Sequence, residues 1–295
     1  MLNHERRLTS LALRHLPPAV AEQWIGLIRP ALRLRSCGRN KKPIGQLGGF
    51  PSLPDDLGWP QWQGKGSLHF VASIDCGRVP SNRLDIPLPD QGMLYFFYFD
   101  ADRRYLYGPP EDRSKLPDAV WQTEPETADA TRVIYVPAGT PTIKREPPED
   151  IDSYLEVGLE ADIVATGPCS DHPAFAAAIQ RLSGADRAYL QDFDNLDRFR
   201  EAMDHGTGHD HRIGGHADPV QNAVEMDVAR SLVAGAYDSA AMRQEASRWT
   251  LLVQIDSDEE ADMQWGDVGT LYWLMRPDDL AARRFQTAYF TGQLR

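Results

Sequence analysis

The N-terminal residues place their apolar positions with the period of an α-helix. Leu8, Leu11, Ala12 and His15 share one face, and after Pro17-Pro18 a second stripe runs through Val20, Trp24, Ile25, Leu27 and Ile28. Pro30 predicts the end of this second helix. We therefore expect a helical segment over residues 1–38, packed on a main domain over residues 39–295.

Further along the chain, apolar runs typical of strands are separated by turn residues. Strands are predicted at 68–74, 92–99, 132–136, 249–255, 269–275 and 285–290, and helices at 172–182, 192–203, 222–233 and 239–246. Asp171 is the predicted N-cap of the first of these helices. Strand-rich and helix-rich blocks are segregated, which predicts an α+β fold with largely antiparallel sheets.

One pattern occurs twice. A Gly-Gly pair, a strand ending in Ile-Asp and a Gly-x-Leu-Tyr strand appear at Gly48-Gly49, Asp75 and Gly92, and again at Gly214-Gly215, Asp256 and Gly269. The match predicts an internally duplicated unit, with related halves at about 40–136 and 211–290. The alternative is that two hydrophobic hairpins resemble each other by chance.

Composition and charge narrow the class of protein. The 295 residues are 42% hydrophobic and carry a formal net charge of −12. The sequence has no apolar run of membrane-helix length, no recognisable leader and three widely spaced cysteines, so we expect a cytoplasmic protein with reduced thiols. Such acidity argues against nucleic-acid binding. The negative net charge is compatible with a basic protein partner, although the need for solubility alone would also favour such a charge.

The most acidic stretch, QIDSDEEADMQWGD over residues 254–267, allows two interpretations. As a calcium loop it would use Asp256, Asp258, Glu260 and Asp267, but Ala261 stands where the sharp turn requires glycine. As a structural turn, Asp256 would accept backbone hydrogen bonds, as Asp75 would in the first half, and Trp265 would pack on the core with its indole N–H hydrogen-bonded. We favour the structural turn because the stretch after Asp75 has no acidic cluster.

Histidines form the second chemical candidate. His205, His209, His211 and His216 lie in the segment DHGTGHDHRIGGH. Gly206 and Gly208 make a helical metal motif improbable, so a solvated loop is the simpler interpretation, and a transition-metal site is the alternative. No cofactor is predicted, and no nucleophile motif or phosphate-binding loop is recognisable.

Together, IGQLGGFPSLP with Trp59-Pro60, FVASID, GMLYFF, HRIGGHADPVQ, LLVQIDSD and WGDVGTLYWL resemble the YwqG-like family, domain of unknown function 1963. The resemblance implies a bacterial intracellular protein with a single α+β domain that contains a repeated sheet unit. It implies no catalytic residue, because the family has no established reaction. This chain departs from the family pattern in the histidine-rich insertion and at His216.

Two functions remain open from the sequence. The first is a non-enzymatic protein-binding module, such as an immunity-type inhibitor of a toxin, with candidate contacts at Phe50, Trp59, Trp62, His211, His216 and Gln221. The alternative is a metal-dependent hydrolase using His205, His209 and His211 with Asp256 or Asp267.

Overall fold

The computed structural model describes residues 2–38, 41–108, 113–114, 116–190, 192–203, 210–237 and 239–295. Its helices are α1 (Leu2–His15), α2 (Pro18–Ile25), α3 (Ala101–Tyr107), α4 (Pro173–Ile179), α5 (Gly184–Leu190), α6 (Phe193–Met203), α7 (Val224–Leu232), α8 (Ala240–Ala246) and α9 (Pro277–Ala281). Its strands are β1 (Arg29–Ser36), β2 (Gly45–Leu47), β3 (Ser52–Leu53), β4 (Gln61–Trp62), β5 (Gly66–Ser67), β6 (His69–Asp75), β7 (Met93–Tyr98), β8 (Thr131–Val136), β9 (Ile143–Lys144), β10 (Val157–Thr166), β11 (His211–Ile213), β12 (Thr250–Asp256), β13 (Thr270–Met275) and β14 (Tyr289–Gln293).

One large sheet organises the described chain. Its strand order is β14-β13-β12-β11-β1-β10-β2-β6-β7-β8, and every neighbouring pair in it is antiparallel. With helices packed beside it, this is an α+β fold with mostly antiparallel sheets, as the sequence predicts.

The two flanks of the sheet are built alike. On either side of the central pair β1–β10, a three-residue strand, β2 or β11, is followed by two longer strands and an outer strand. The pairing register shifts between Phe70 and Ala72 on one flank and between Leu251 and Val253 on the other. A common origin of these flanks by duplication remains a prediction.

Aromatic side chains join the two flanks across the interior. Phe96 of β7 lies 5.5 Å from the ring of Trp273 of β13, and Tyr98 stacks on Phe290 of β14 at 5.2 Å. These strands are far apart in the order of the sheet, so the sheet must curl until its flanks share one core. These rings are fully buried in a hydrophobic cluster that contains residues of both flanks.

The helices form separate layers on this sheet. Trp24 of α2 meets Phe199 of α6 edge-to-face at 5.1 Å, in a cluster with Leu8 and Ala12 of α1. The pair α7 and α8 packs through a second cluster that contains Met226 and Met242. No helix among the described residues is long and apolar enough to cross a membrane.

Four local predictions differ from the structure. The helical segment predicted over 1–38 contains β1, because its arginines and leucines alternate between the two faces of a central strand. Strand β10 was missed, and the last strand is Tyr289–Gln293 instead of 285–290. His172 caps α4 by accepting from the Ala174 N–H at 3.2 Å, whereas Asp171 accepts from the Ala223 N–H at 2.8 Å.

Candidate functional site

The acidic stretch is a tight turn held by its own carboxylates. Asp256, at the end of β12, accepts from the Ser257 N–H at 3.1 Å and from the Thr270 hydroxyl at 2.8 Å. Asp258 accepts from the Ala261 N–H at 3.0 Å, and Asp258 and Met263 form an antiparallel bridge. Both aspartates are buried, whereas Glu260 and Asp267 are exposed to solvent. The four carboxylates of the calcium interpretation are thus divided between interior and surface.

Trp265 follows this turn and packs inward as predicted. Its indole contacts Tyr98 and Tyr154 edge-to-face at 5.9 and 5.5 Å. The predicted indole hydrogen bond is absent, because Nε1 of Trp265 has no partner among the described residues. Among the described residues, the ring is held by packing in the hydrophobic core.

Asp75, the last residue of β6, caps the turn that follows the strand. Its carboxylate accepts from the Gly77 N–H at 3.0 Å, just after β6. The two Gly-Gly pairs also share a backbone conformation, with positive φ at Gly48-Gly49 and at Gly214-Gly215. A Cβ on Gly48 would lie 2.4 Å from the Leu155 carbonyl oxygen, so this position needs glycine for space as well as for φ.

His211 is the first residue of β11; it is buried, and both of its ring nitrogens make hydrogen bonds within the protein. Its Nδ1 accepts from the Asp256 N–H at 3.0 Å, so Nε2 carries the proton and donates to Asp258 Oδ2 at 3.0 Å. His205 and His209 lie outside the described residues. No group of three or more His, Cys, Asp or Glu side chains in the described part of the chain is arranged to hold a metal ion.

The predicted contact residues of the first loop pack mainly onto the domain. Trp62 is buried and meets Phe99 edge-to-face at 5.2 Å, and Trp59 donates its indole N–H to the Leu68 carbonyl at 2.8 Å. Phe50 is half-buried, with the Lys144 ammonium 5.7 Å from its ring. Their role in partner contact stays a prediction.

The contact residues predicted in the second loop are separated by the fold. His216 is buried and donates from Nε2 to the Leu27 carbonyl at 2.7 Å, in a contact that ties β11 to the loop after α2. Gln221 is exposed, and its side chain donates to the Leu294 carbonyl at 2.9 Å. The structure therefore does not bring these two residues to one surface.

A junction around Arg103, defined by Arg103, Asp152, Tyr154 and Asp262, was missed by the sequence analysis. The Arg103 guanidinium binds the Asp152 carboxylate at 2.6 Å, lies 4.5 Å from the centre of the Tyr154 ring, and donates to the Asp262 carbonyl at 2.8 Å. Burial alone would lower the pKa of Arg103, but its interactions with Asp152, Tyr154 and Asp262 together outweigh burial and raise that pKa. Burial likewise opposes ionisation of Asp152, yet His69, whose Nε2 lies 3.7 Å away, and the hydrogen bonds from Arg103 lower its pKa.

Comparison with known protein families assigns the chain to a family. A model described as a domain of unknown function, DUF1963, matches residues 45–293. The chain belongs to this family. No curated protein matched the chain in the comparison. The DUF1963 match confirms the resemblance seen in the sequence motifs.

The DUF1963 match starts after β1, although β1 lies at the centre of the sheet between β10 and β11. The N-terminal segment is therefore structurally part of the domain, since β1 pairs with β10 over eight residues. Nothing in the spacing of the sequence pointed to the Arg103 junction, because its members are brought together from α3, the segment before β10 and the acidic turn of the DUF1963 domain.

Proposed function

We propose that this chain is a non-enzymatic protein-binding module whose partner presents a basic surface. An immunity-type inhibitor of a basic toxin is one form of such a module. The observation that carries the proposal is an exposed apolar pair, Tyr107 and Leu155, beside the exposed carboxylates Glu259, Glu260 and Asp262. These five residues are called the acidic face below.

The apolar members of the acidic face are held in place by the Arg103 junction. Tyr107 is 63% exposed and its ring lies 5.1 Å from the Arg103 guanidinium. Leu155 is 59% exposed, and its backbone N–H donates to the Ala261 carbonyl of the acidic turn at 2.9 Å. Because the exposed Tyr107 ring already packs on Arg103, it loses little conformational entropy on binding, which suits it to be a contact anchor.

The charge of the acidic face suits a basic partner. Glu259 and Glu260 are exposed at the tip of the turn, and half of the Asp262 side chain remains accessible although it binds Arg103 at 3.1 Å. The net charge of −12 has the same sign. Clustered carboxylates around apolar anchors would steer a cationic protein and set its orientation.

The groups that the hydrolase alternative needs are described only in part. His211 is the one member of its histidine set within the described residues, and both of its ring nitrogens serve the acidic turn. Asp256 is buried in that turn, and Asp267 is exposed. Because no contact within the described part of the chain favours the hydrolase, we carry only the binding module forward.

Affinity capture with the full chain, followed by binding measurements on the isolated partner, tests the proposal. We expect a stoichiometric partner whose association rate falls with salt. The double variants Glu259→Lys/Glu260→Lys and Tyr107→Ser/Leu155→Ser should each weaken binding about tenfold or more.

Two further charge reversals make the test specific. Asp55→Lys/Asp56→Lys changes exposed residues of the loop that the sequence analysis predicted as a contact surface, and Glu124→Lys/Glu126→Lys changes an exposed pair outside both surfaces. We expect both to leave affinity within about twofold once net charge is matched. Recovery of no stoichiometric partner, or equal affinity for all four variants, would overturn the proposal.

A further inference from the structure

Arg33, in the middle of the central strand β1, lies opposite a second arginine. Its Cα partner on β11 is Arg212, and its Cα partner on β10 is Asp162. Residues directly opposite on neighbouring strands lie on the same face of the sheet, and like charges placed there are destabilising. The Asp162 carboxylate does not relieve this repulsion by pairing with Arg33, because it binds the guanidinium of Arg35 instead.

Arg33 is left as a cation without a counter-charge. The buried Arg212 binds the Asp210 carboxylate and donates to the His216 carbonyl at 2.8 Å, whereas Arg33 makes no ion pair or side-chain hydrogen bond to a described residue. Its Nε is buried, but the side chain as a whole is only half-buried, and both Nη atoms keep solvent-accessible surface. Burial and the charge of Arg35 lower the pKa of Arg33, as expected for a cation with no carboxylate paired to it.

Further positive groups lie beside Arg33. Arg35 is two residues along β1 and therefore on the same face of the strand. On α1, burial lowers the pKa of His4, and the charges of Arg33, Arg7 and Arg35 lower it further. The first two turns of α1 are therefore close to the arginines of β1. Arg33, Arg35, Arg7 and His4 are called the arginine site below.

The ligand that fits the arginine site best is an oxyanion. Glu160 and Asp162, the β10 partners of Arg35 and Arg33, already bind Lys41 and Arg35. An anion at Arg33 would supply the missing counter-charge and accept from the accessible Nη atoms. A phosphate group offers three acceptor oxygens and close to two negative charges, so it can accept from both β1 arginines at once, whereas a carboxylate has only two oxygens.

We propose that the arginine site binds a phosphate group, with the Nη atoms of Arg33 as the principal donors and Arg35 beside them. The group can belong to a soluble phosphate monoester or to a phospholipid headgroup, since the chemistry recognised is the same. Binding compensates the repulsion between Arg33 and Arg212 and therefore stabilises the folded chain. No residue of the arginine site belongs to the acidic face, so the inference goes beyond the proposed protein-binding function.

Methyl phosphate and acetate, which carry the same methyl group, test the class of anion. Each is titrated into the full chain at constant ionic strength while the NMR signals of the arginine side chains and of the His4 ring are followed. We expect methyl phosphate to bind saturably, with shifts at Arg33, Arg35 and His4, and at least about threefold more tightly than acetate. Equal affinity for the two anions, or no saturable binding of methyl phosphate, would overturn the inference.

Two substitutions assign the binding to Arg33. Arg33→Gln should weaken methyl phosphate binding about tenfold or more, and Arg33→Lys, which keeps the charge without the planar fork, about threefold. Arg181→Gln, which removes an exposed arginine after α4 and changes the net charge equally, is the control and should stay within about twofold. Equal weakening by Arg33→Gln and Arg181→Gln would show a general effect of charge and would overturn the inference.

Melting temperatures separate a binding role of Arg33 from a structural one. Because Arg33 has no partner within the described chain, Arg33→Gln should fold with an unchanged or higher melting temperature when no phosphate is present. Methyl phosphate should raise the melting temperature of the wild type and leave that of Arg33→Gln unchanged. A lower melting temperature for Arg33→Gln, together with no response of the wild type to methyl phosphate, would assign Arg33 a structural role and overturn the inference.

Cosedimentation with lipid vesicles distinguishes the two sources of the phosphate group. Vesicles of phosphatidylcholine with phosphatidic acid present a phosphate monoester at a membrane surface. Retention of the wild type on them, with loss of retention for Arg33→Gln, would support a lipid headgroup as the ligand. Saturable binding of methyl phosphate without retention on the vesicles would support a soluble monoester.

Discussion

The Arg103 guanidinium lies 3.1 Å from the carboxylate of Asp262, a residue 159 positions further along the chain. This contact joins the helix after β7 to the acidic turn after β12, and thus one flank of the sheet to the other. The same guanidinium binds Asp152 and packs on Tyr154, so it serves as a structural joint under the acidic face.

Replacing Arg103 should therefore destabilise the fold. Arg103→Met removes the arginine that binds Asp152; because the Asp152 side chain is 38% exposed, we expect a loss of about 2–4 kcal/mol, about 1 kcal/mol less than for fully buried pairs. Arg103→Lys keeps the charge but not the planar fork and should lose about 1–2 kcal/mol. Asp262→Asn is the control, with at most about 1 kcal/mol. Urea unfolding measures the stability of all three variants. Equal losses for Arg103→Met and Asp262→Asn would show that Arg103 does not join the two flanks of the sheet.

The structural role of Asp258 in the acidic turn can be tested against exposed residues of the same turn. Asp258→Ala removes the acceptor of the His211 Nε2–H and of the Ala261 N–H, both buried. We expect a loss of about 2–4 kcal/mol from these unpaired donors. Glu259→Gln and Glu260→Gln, at exposed positions of the same turn, should each stay within about 0.5 kcal/mol. Similar melting temperatures for all three variants would show that Asp258 is not a structural residue.

Glycine at position 48 is required for two separate reasons, which substitutions can distinguish. Gly64→Ala faces only the cost of positive φ, because a Cβ there would meet no atom within 4 Å, and should lose about 1–2 kcal/mol. Gly48→Ala adds the clash with the Leu155 carbonyl and should lose about 2–5 kcal/mol in all. Chemical denaturation of both variants provides the comparison; an equal loss would mean that the loop moves aside.

The buried neutral His216 predicts a pH dependence of stability. Its folded pKa of about 3 lies below the unfolded value of 6.5, so the unfolded chain takes up a proton first as pH falls through 6.5. Stability is therefore lost progressively between the two values, at up to about 1.4 kcal/mol per pH unit from this group. Above the unfolded value the group contributes no slope.

His216→Gln removes this titration and should flatten the stability profile between about pH 7.5 and about pH 4.5. Urea unfolding across this interval, with His15→Gln at the end of α1 as the matched exchange at another histidine, measures the difference. A profile for His216→Gln parallel to that of the wild type would show that His216 can be protonated in the folded protein.

What the sequence determined by itself is local. The apolar and aromatic runs HFVASID, MLYFFY, TLLVQID and TLYWLM predicted β6, β7, β12 and β13, and the apolar spacing in the N-terminal residues predicted α1 and α2. Asp75 and Asp256 each accept a hydrogen bond from a backbone N–H that follows them in the chain, a contact that depends only on sequence neighbours and that the sequence can therefore suggest.

Only the tertiary structure determined which residues distant in the sequence come into contact. β1 pairs centrally through residues that local spacing assigned to the end of a helical segment. Arg103 with Asp262, and His216 with His172, come from segments that no periodicity relates. The curvature of the sheet determines these contacts, because it brings Phe96 and Trp273 into one core. Curvature and burial depend on the summed packing of all strands, a quantity that no single stretch of sequence carries.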